Sequence, residues 1–406
     1  MEVTIERILP GGLGLAHADG RPVMVALAAP GDRVHVQVDL VKGNISFASI
    51  KEIIEPSRVR VAPPCPYFGR CGGCDFQQLS YEAQLAAKVE IIKDCLHRIG
   101  RIENIPDFQI TPAPNPWHYR TRAQWQYDSI RKRLGYFESG SRRVCDVAEC
   151  AVLAPELQQT LESLREGLQD GSLPDDARDF RAVVGDEGVS LAPDRVRSPT
   201  VREGNVSKVE CEETHEVTRT IHGETYRFNA ESFFQANYAL LPQLIDAALK
   251  EASGNTAVEL YCGVGLFTVP LARRFSRVVG VEADAAATRF ARANLTNANL
   301  MNAEIADHDV GDWLEHYADG CLQEREESAQ LDFLLLDPPR TGAESRVIAG
   351  IMDLRPRRIS YVSCDPATLA RDLKKLIAGG YTLDSVAAFD MFPQTHHVET
   401  VVHLSG

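Results

Sequence analysis

A cysteine at the end of a predicted strand is the strongest candidate for chemistry in this sequence. The run Arg358 to Ser363 is typical of a buried strand, and Cys364 follows it directly. Asp365 can cap the next helix, and Pro366 fits the first turn of that helix. Cys364 would then lie beside a helix N-terminus, where the dipole favours the nucleophilic thiolate. The alternative is a buried core cysteine, but the position after the strand rather than inside it favours a functional role.

Two acids could assist such a nucleophile. The apolar run Leu331 to Leu336 ends in the motif Asp337-Pro338-Pro339-Arg340, and Glu399 precedes the last predicted strand, Thr400 to Leu404. Covalent catalysis by a thiol needs a base within hydrogen-bond reach of the proton that is removed. The spacing alone also allows Glu399 to be a surface acid at the start of a strand.

A glycine-rich turn indicates a cofactor site. Gly263 and Gly265 follow a predicted strand, in the segment Glu259 to Leu266, and glycines there allow a tight turn and the close approach of a ligand. Glu282 ends the next predicted strand, nineteen residues after Gly263, where an acid can accept hydrogen bonds from ribose hydroxyls. The sequence has neither the full dinucleotide fingerprint nor a P-loop lysine at this turn. S-adenosylmethionine, an adenosine ligand without a pyrophosphate, suits the pattern better, and a purely structural turn is the alternative.

Three cysteines near residue 70 have the spacing of metal ligands. Cys65, Cys71 and Cys74 form a C-x5-C-x2-C pattern, and the backbone N–H groups of Gly72 and Gly73 could bond cluster sulfides. A fourth ligand must come from elsewhere, and the candidates are Cys95, Cys145 and Cys150. An iron–sulfur cluster, a zinc ion and free buried thiols all stay open at this point.

The elements that position these groups alternate between strands and helices from about residue 221. Predicted strands are Thr256 to Tyr261, Arg277 to Val281, Leu331 to Leu336 and Arg358 to Ser363. This alternation is typical of a Rossmann-like, doubly wound parallel sheet, so we assign residues 221–406 to such a domain. Ligands of doubly wound sheets bind outside the carboxyl ends of the strands. Cys364 and the motif that begins at Asp337 should therefore both face the cofactor crevice.

Two further regions precede this domain. Residues 1–57 alternate apolar and polar residues in short strands, broken by turns such as Gly11-Gly12, which predicts a small closed all-β barrel. Residues 58–220 contain the cysteine pattern, an amphipathic helix over Tyr81 to Ile99 and later β-structure, which indicates a central α+β domain. The expected fold class is therefore a multidomain α/β protein.

The composition is that of a globular protein with two or three domains. The chain has 406 residues, of which 44% are hydrophobic and 25% charged. It has no run of about 18 apolar residues and no apolar core of a signal peptide near Met1, so we expect a cytoplasmic protein that does not bind membranes. In that reducing compartment the ten cysteines should not form a disulfide framework. The net charge of −14 argues against a nucleic-acid substrate unless positive charge is gathered in a patch.

An aromatic and basic stretch provides a candidate for that patch. It runs from Trp117 to Trp125, and the clusters Arg131-Lys132-Arg133 and Arg142-Arg143 follow it. Aromatic rings can stack on unpaired bases, and arginines can hold phosphates, so we predict that this stretch binds RNA. The alternative is that these are ordinary strand residues with solvated charges.

Three motifs of the C-terminal region resemble those of the S-adenosylmethionine-dependent RNA 5-methyluridine methyltransferase family. They are Asp337 to Arg340, Ser363 to Asp372 and Asp390 to Glu399. The resemblance spans the whole chain, and it implies that Cys364 is the nucleophile and Glu399 the general base. It also implies contacts with S-adenosylmethionine by Gln235, Tyr261, Glu282, Asp309 and Asp337. Leu266 stands where several members have Asn, and Asp307 lies two residues from Asp309.

The same resemblance bears on the cysteines, the barrel and the substrate. It selects Cys150 to join Cys65, Cys71 and Cys74 as ligands of a 4Fe–4S cluster. The N-terminal barrel resembles the TRAM domain, an OB-like RNA-binding module. The substrate that it implies is 23S ribosomal RNA, with transfer RNA as the alternative, and we expect a monomer. Cysteines without partners at ligand spacing are expected to be structural, namely Cys95, Cys211, Cys262 and Cys321.

Two interpretations from other classes were weighed against this one. A non-catalytic iron–sulfur protein that binds RNA or senses redox state would need a decayed cofactor site, and the presence of Cys364, Glu399, Asp337 and Glu282 disfavours that. A methyltransferase acting on DNA or on a small molecule is the second. DNA cytosine methylation also uses a cysteine nucleophile, but there a proline precedes the cysteine in a loop, whereas Cys364 follows Ser363 at a strand end.

Overall fold

The computed structural model describes residues 1–193, 215–316 and 331–406. Cys211 and Cys321, which we predicted to be structural, lie outside these ranges. The strands of the described ranges form sheets of six, five, two and eight strands. The helices of these ranges all lack the length or the apolar character that crossing a bilayer requires.

The six-stranded sheet at the N-terminus buries alternate residues, as the sequence predicted. Val34 and Val36 are buried, whereas His35 and Gln37 are exposed. The strands are β1 (Glu2–Thr4), β2 (Arg7–Ile8), β3 (Gly14–Ala18), β4 (Arg21–Val25), β5 (Arg33–Lys42) and β6 (Ile45–Glu55). Their order in the sheet is β1-β5-β6-β4-β3-β2. Because β1 and β2 are successive parts of one segment and pair with β5 and β3, the sheet closes on itself, which confirms the predicted barrel.

Helix α1 (Tyr81–Arg98) agrees with the predicted helix. The Ser80 hydroxyl caps it by accepting a hydrogen bond from the Ala83 N–H at 3.3 Å. The buried face of α1, which includes Ile92 and Cys95, packs into the same core as the C-terminal sheet. The short strand β7 (Ile110–Thr111) joins the edge of that sheet. The helix that follows the cysteine pattern is therefore bound directly to the C-terminal region.

A five-stranded antiparallel sheet forms the middle of the chain. Its strands are β8 (Arg122–Asp128), β9 (Arg133–Phe137), β10 (Val144–Asp146), β11 (Asp179–Val184) and β12 (Val189–Ala192), in the order β10-β9-β8-β11-β12. Helix α2 (Pro155–Asp170) packs Leu157, Leu161 and Leu164 into a core that contains Trp125. A separate hairpin of β13 (Val217–Ile221) and β14 (Glu224–Phe228) follows.

The C-terminal sheet has eight strands, and all four strands predicted for this region are present. The strands that follow the hairpin are β15 (Gly254–Leu260), β16 (Phe275–Glu282), β17 (Ala303–Asp307), β18 (Phe333–Leu336), β19 (Arg358–Ser363), β20 (Thr382–Phe389) and β21 (Glu399–Ser405). Their order is β17-β16-β15-β18-β19-β21-β20-β7. The helices are α3 (Leu241–Leu249), α4 (Thr268–Ala272), α5 (Ala285–Asn297), α6 (Val310–His316), α7 (Ser345–Leu354) and α8 (Pro366–Ala378), and a 3-10 turn over Tyr238–Leu240 precedes α3.

The prediction of a parallel sheet is correct for β15 to β19 and for the pairing of β20 with β7, but not for β21. Strand β21 pairs antiparallel with both β19 and β20. The physical reason is the connection between β20 and β21, which spans only residues 390–398 and contains no crossover helix. A parallel connection needs a longer crossover, so the two final strands reverse direction. The reversal brings the start of β21, where Glu399 lies, to the carboxyl end of β19.

Candidate active site

Cys364 and Glu399 lie at neighbouring positions on two paired strands. The antiparallel ladder of β19 and β21 ends with Ser363 opposite Thr400. Cys364 directly follows Ser363 and Glu399 directly precedes Thr400, and the charge of Glu399 raises the pKa of the Cys364 thiol, so the two side chains lie near each other. Residues directly opposite each other in an antiparallel pair project from the same face. The register therefore places a thiol and a carboxylate side by side at the end of the sheet.

Asp337 reaches the same place from the adjacent strand. Leu336, the last residue of β18, pairs with Tyr361 of β19, and Asp337 follows it at the carboxyl end. Burial raises the pKa of the Asp337 carboxyl from 3.8 to about 7. Half of these carboxyls would therefore be protonated near neutral pH. The crevice predicted for the carboxyl ends of these strands thus contains both predicted motifs.

Glu399 is a buried acid with unsatisfied hydrogen-bonding capacity. Its side chain is 2% exposed, and its Oε1 has no hydrogen-bond partner in the described ranges. Burial raises the pKa of the Glu399 carboxyl well above 4.5, the negative charge of Asp337 raises it further, and the positive charge of Arg340 opposes both. A buried polar group without a partner costs free energy, and such groups are concentrated at functional sites. The surface-acid interpretation of Glu399 is therefore wrong.

Cys364 is a protonated thiol in these surroundings. Asp365 caps α8 by accepting hydrogen bonds from the N–H groups of Ala367 and Thr368, both at 2.9 Å, as predicted. Burial nevertheless raises the pKa of the Cys364 thiol to about 12, and the charges of Glu399 and Asp337 add to this effect. The prediction that the helix dipole favours the thiolate is wrong, because burial and the two carboxylates outweigh it.

Arg340 is a member of this site to which we assigned no role from the sequence. Its charge lowers the pKa of both the Glu399 carboxyl and the Cys364 thiol, so it lies near both groups. The residue is exposed at the surface. Its position in a motif directly after a strand end was the signal that could have identified it. It is the cation that could offset the two carboxylates of the site.

The glycine turn and Glu282 meet as predicted. The turn needs backbone conformations that glycine adopts readily, with φ of +54° at Gly263 and +88° at Gly265. The Gly263 N–H donates to Oε2 of Glu282 at 3.0 Å. The N–H groups of Ala283 and Asp284 donate to the other oxygen, Oε1, each at 2.9 Å. Tyr261 also has a positive φ, of +63°, so the backbone turns sharply immediately after β15.

The remaining residues implied as cofactor contacts have diverse surroundings. Asp309 accepts hydrogen bonds from the Gly311 N–H at 2.9 Å and from Arg346 at 2.7 Å, which makes it the N-terminal cap of α6. Asp307 lies at the end of β17, opposite Glu282. Gln235 is buried, as is Leu266. The structure therefore brings Cys364, Glu399 and Asp337 into one group and joins Gly263 to Glu282.

Four of the six cysteines considered as metal ligands line one cavity. They are Cys65, Cys71, Cys74 and Cys150. Cys145 is buried in β10, where its Sγ accepts a hydrogen bond from Arg70 at 3.3 Å, and Cys95 is buried in α1. Arg120 and Tyr136 complete the polar lining, and the Tyr136 hydroxyl is buried without a partner within the described ranges. Among the described residues, no three His, Cys, Asp or Glu side chains are close enough to hold one metal ion.

The predicted RNA-binding stretch is only partly exposed, because two of its aromatic rings are buried, whereas the basic residues Arg131 to Arg133 and Arg142-Arg143 lie at the surface. Trp125 is 0% exposed and Tyr119 is 7% exposed, so neither ring is free to stack on a base. Arg122 donates to the Ser232 carbonyl at 2.7 Å. The reason is strand alternation, since Trp125 lies on the face of β8 that packs on α2. Two of the following arginines, Arg131 and Arg143, form ion pairs with Asp128 and Glu138.

Comparisons with known proteins relate the chain to RNA methyltransferases. Residues 207–406 match the family model described as tRNA (Uracil-5-)-methyltransferase, and residues 1–51 match the TRAM domain model. The chain is 32% identical to an uncharacterized RNA methyltransferase of Thermotoga maritima, over 99% of this chain and 98% of the relative. It is 33% identical to the 23S rRNA (uracil(1939)-C(5))-methyltransferase RlmD of Pectobacterium atrosepticum, over 99% of this chain and 92% of the relative. The enzyme of the same name from Methylococcus capsulatus is 34% identical, over 98% of this chain and 95% of the relative.

A solved structure has the same fold. The tRNA (uracil-54, C5)-methyltransferase of Pyrococcus abyssi, in complex with S-adenosyl-L-homocysteine, superposes with a TM-score of 0.73 at 24% identity. The match covers 99% of this chain and 100% of that chain. The N-terminal barrel is thus a TRAM domain, and the C-terminal sheet has a methyltransferase fold.

Proposed function

Because the chain belongs to the family of S-adenosylmethionine-dependent RNA (uracil-5-)-methyltransferases, we propose that it methylates carbon 5 of a uridine in 23S ribosomal RNA, with Cys364 as the covalent nucleophile. Two relatives that match nearly the full chain are 23S rRNA enzymes, which supports this substrate. The description of the family model favours transfer RNA as the alternative. The observation that carries the proposal is the position of Cys364 and Glu399, each one residue beyond the Ser363–Thr400 pair that ends the β19–β21 ladder.

The proposed reaction follows from the weak nucleophilicity of carbon 5 in uracil. The Cys364 thiolate adds to carbon 6, and the electron pair of the carbon 5–carbon 6 double bond moves towards the carbonyl as an enolate. Carbon 5 then takes the sulfonium methyl group that S-adenosylmethionine would supply, and the electrons of the broken methyl–sulfur bond leave with S-adenosylhomocysteine. The Glu399 carboxylate then removes the proton from carbon 5, the double bond reforms, and the thiolate leaves.

The charges of the site support this division of roles. Cys364 must lose its proton before it attacks, and its raised pKa means that the thiolate forms only when the surroundings change. A sulfonium cation beside Asp337 and Glu399 would add positive charge and lower the thiol pKa. Glu399 must be ionised to act as a base, and its orphaned Oε1 is available to accept a proton.

We propose that the cofactor lies at the carboxyl ends of β15, β16 and β18. A positively charged ligand suits the buried Asp337, and ribose hydroxyls suit Glu282. The residues proposed to contact S-adenosylmethionine are Gln235, Tyr261, Gly263, Gly265, Glu282, Asp309 and Asp337. Asp309 already accepts a hydrogen bond from Arg346 and would have to give up this bond to contact the cofactor. Its assignment therefore has the least structural support of the set.

We also propose that Cys65, Cys71, Cys74 and Cys150 hold a 4Fe–4S cluster. The cavity that the four cysteines line fits this group. A zinc ion draws four sulfurs together around one point, whereas a four-iron cluster holds its thiolates further apart. The shared cavity supports a common inorganic group, and the family resemblance selects the cluster over zinc. The buried Tyr136 hydroxyl and the Arg120 guanidinium would face the negative charge of its thiolates and sulfides.

The substrate can be tested by mapping 5-methyluridine in total RNA from a strain that lacks the gene. We expect one position of 23S ribosomal RNA to lose the modification and to regain it when the gene is restored. Loss from transfer RNA instead would establish the alternative substrate. Intact 5-methyluridine in both RNAs would contradict the proposed function.

A further inference from the structure

The chain that leads to Glu399 is bound to the loop that carries Cys74. The connection 390–398 between β20 and β21 contains no regular element, so its position depends on the contacts it makes. The backbone N–H groups of Asp75 and Phe76 both donate to the Gln394 carbonyl, at 3.1 Å and 3.0 Å. These residues directly follow Cys74, one of the cysteines that line the cavity. Two distant parts of the sequence are therefore joined immediately beside the proposed cluster.

Asp75 and His396 close this contact with their side chains. One carboxylate oxygen of Asp75, Oδ1, accepts a hydrogen bond from the His396 backbone N–H at 2.9 Å. The other, Oδ2, pairs with Nδ1 of the His396 ring. Asp75 therefore contacts both the backbone and the side chain of His396, which lies three positions before Glu399.

The N-terminal barrel and α1 support the same contact. A Cβ atom on Gly12 would lie 3.0 Å from Asp75 Oδ2 and 3.2 Å from His396 Cβ, so the barrel turn packs directly against the pair. Gln84 of α1 exchanges two hydrogen bonds with Gln394, at 2.9 Å and 3.0 Å. Lys88 of α1 forms a fully buried ion pair with Asp390. The connection is thus fixed at both ends by groups outside its own domain.

Glu399 itself makes little contact that could fix its carboxylate. Its Oε1 is buried without a partner in the described ranges, the negative charge of Asp337 disfavours the ionised carboxylate, and only the charge of the exposed Arg340 favours it among the groups that shift its pKa. The position of the carboxylate must therefore be set by the backbone that carries it. A displacement of about 1 Å at a catalytic group can lower a rate by about a hundredfold.

We propose that Asp75, through His396, is a positioning residue for Glu399 and couples the cluster-binding loop to the elimination step of the reaction. This inference rests on the proposed function, in which Glu399 removes the proton from carbon 5. Asp75 touches neither the substrate nor the cofactor in this account. Asp75 binds the connection 390–398, which leads to Glu399, to the loop that follows Cys74. The conformation that the cluster gives to this loop would therefore affect the position of Glu399.

The test compares Asp75→Ala with Glu399→Gln in one assay for the RNA–protein adduct. We expect Asp75→Ala to lower kcat by about 10- to 100-fold and to accumulate methylated RNA joined to Cys364. The KM for RNA, the Kd for S-adenosylmethionine and the iron content should stay within twofold of those of the unaltered enzyme. Asp75→Asn keeps an oxygen that can accept from the His396 N–H, so it should recover part of the lost kcat.

Arg165→Ala is the matched control, because Arg165 bonds Asp146 at 2.7 Å in the central sheet region and has no bond to the connection. It should turn over normally. His396→Ala alters the pair from the other side and serves as the second variant if Asp75→Ala loses iron or folds poorly. If the adduct forms with Glu399→Gln but with neither Asp75→Ala nor His396→Ala, the inference is overturned and the proposed function stands. No adduct with Glu399→Gln would instead overturn the proposed function on which it rests.

Discussion

The negative charge of Asp337 raises the pKa of the buried Glu399 carboxyl. The two acids come from different strands, β18 and β21, and meet because β19 lies between those strands. Two carboxylates in one buried site resist simultaneous ionisation. A positively charged ligand would relieve this repulsion. Its binding would favour the ionised Glu399 carboxylate, which is the form that can act as a base.

The affinity for S-adenosylmethionine should depend on pH through Asp337. Burial raises the pKa of this carboxyl to about 7, and only the ionised form attracts a cation. Affinity should therefore rise by about tenfold between pH 6 and pH 8, as the ionised fraction increases. Isothermal titration calorimetry across this range measures it. Asp337→Asn is the control for titration of the ligand itself, and equal pH dependence in both proteins would contradict the assignment.

Glu399→Gln should stabilise the folded protein more at high pH than at low pH. The folded-state pKa of Glu399 is raised, so the folded protein holds a proton that the unfolded chain releases. The contribution to stability is present at low pH and is lost as the pH rises through the folded pKa. Gln carries no proton to lose, so the melting temperature of the variant should rise relative to that of the unaltered protein as the pH increases above 4.5. A constant difference between the two would show that Glu399 does not titrate in this range.

Cys364→Ala should abolish methyl transfer and preserve binding of S-adenosylmethionine. The thiol is required for addition to carbon 6, whereas the cap of α8 is made by Asp365 and not by the thiol. Transfer of a tritiated methyl group to RNA and equilibrium binding of the cofactor measure the two effects. Turnover near that of the unaltered enzyme would exclude covalent catalysis by this residue.

Protein purified without oxygen should contain four irons and four sulfides per chain and should be brown. Cys150→Ser should lose iron, because Cys150 lines the cavity. Cys145→Ser is the matched control, since Cys145 is five residues away in sequence but buried in β10, and it should retain iron. Zinc in place of iron and sulfide in elemental analysis would refute the cluster.

The sequence predicted the parts of the fold that depend on local pattern. The run Arg358 to Ser363 is a strand with the predicted bounds, and Asp365 and Pro366 begin α8 as predicted. Apolar periodicity and capping residues act within a few positions of the chain, so a single sequence reveals them. The residue types of the site, a thiol and carboxylates at strand ends, were found in the same way.

Features that depend on contacts between distant residues needed the structure. The antiparallel direction of β21 determines that Glu399 lies beside Cys364, and no local pattern encodes that direction. The burial of Trp125 depends on which face of β8 meets α2, which alternation alone leaves open. The pKa of Cys364 is raised by burial first and by the charges of Glu399 and Asp337 second, and no local pattern reveals either cause. Asp75 and His396, separated by 321 positions, had no signal at all.

The most direct test of covalent catalysis is the fate of RNA on the Glu399→Gln enzyme. Gln has nearly the size of Glu but cannot take the proton from carbon 5, whereas addition of Cys364 and methyl transfer do not need that proton removed. We predict that methylated RNA stays joined to the variant in denaturing gel electrophoresis and that the adduct vanishes in the Glu399→Gln, Cys364→Ala double variant. Normal turnover of Glu399→Gln without any adduct would contradict the account and make Asp337 the next candidate for the base.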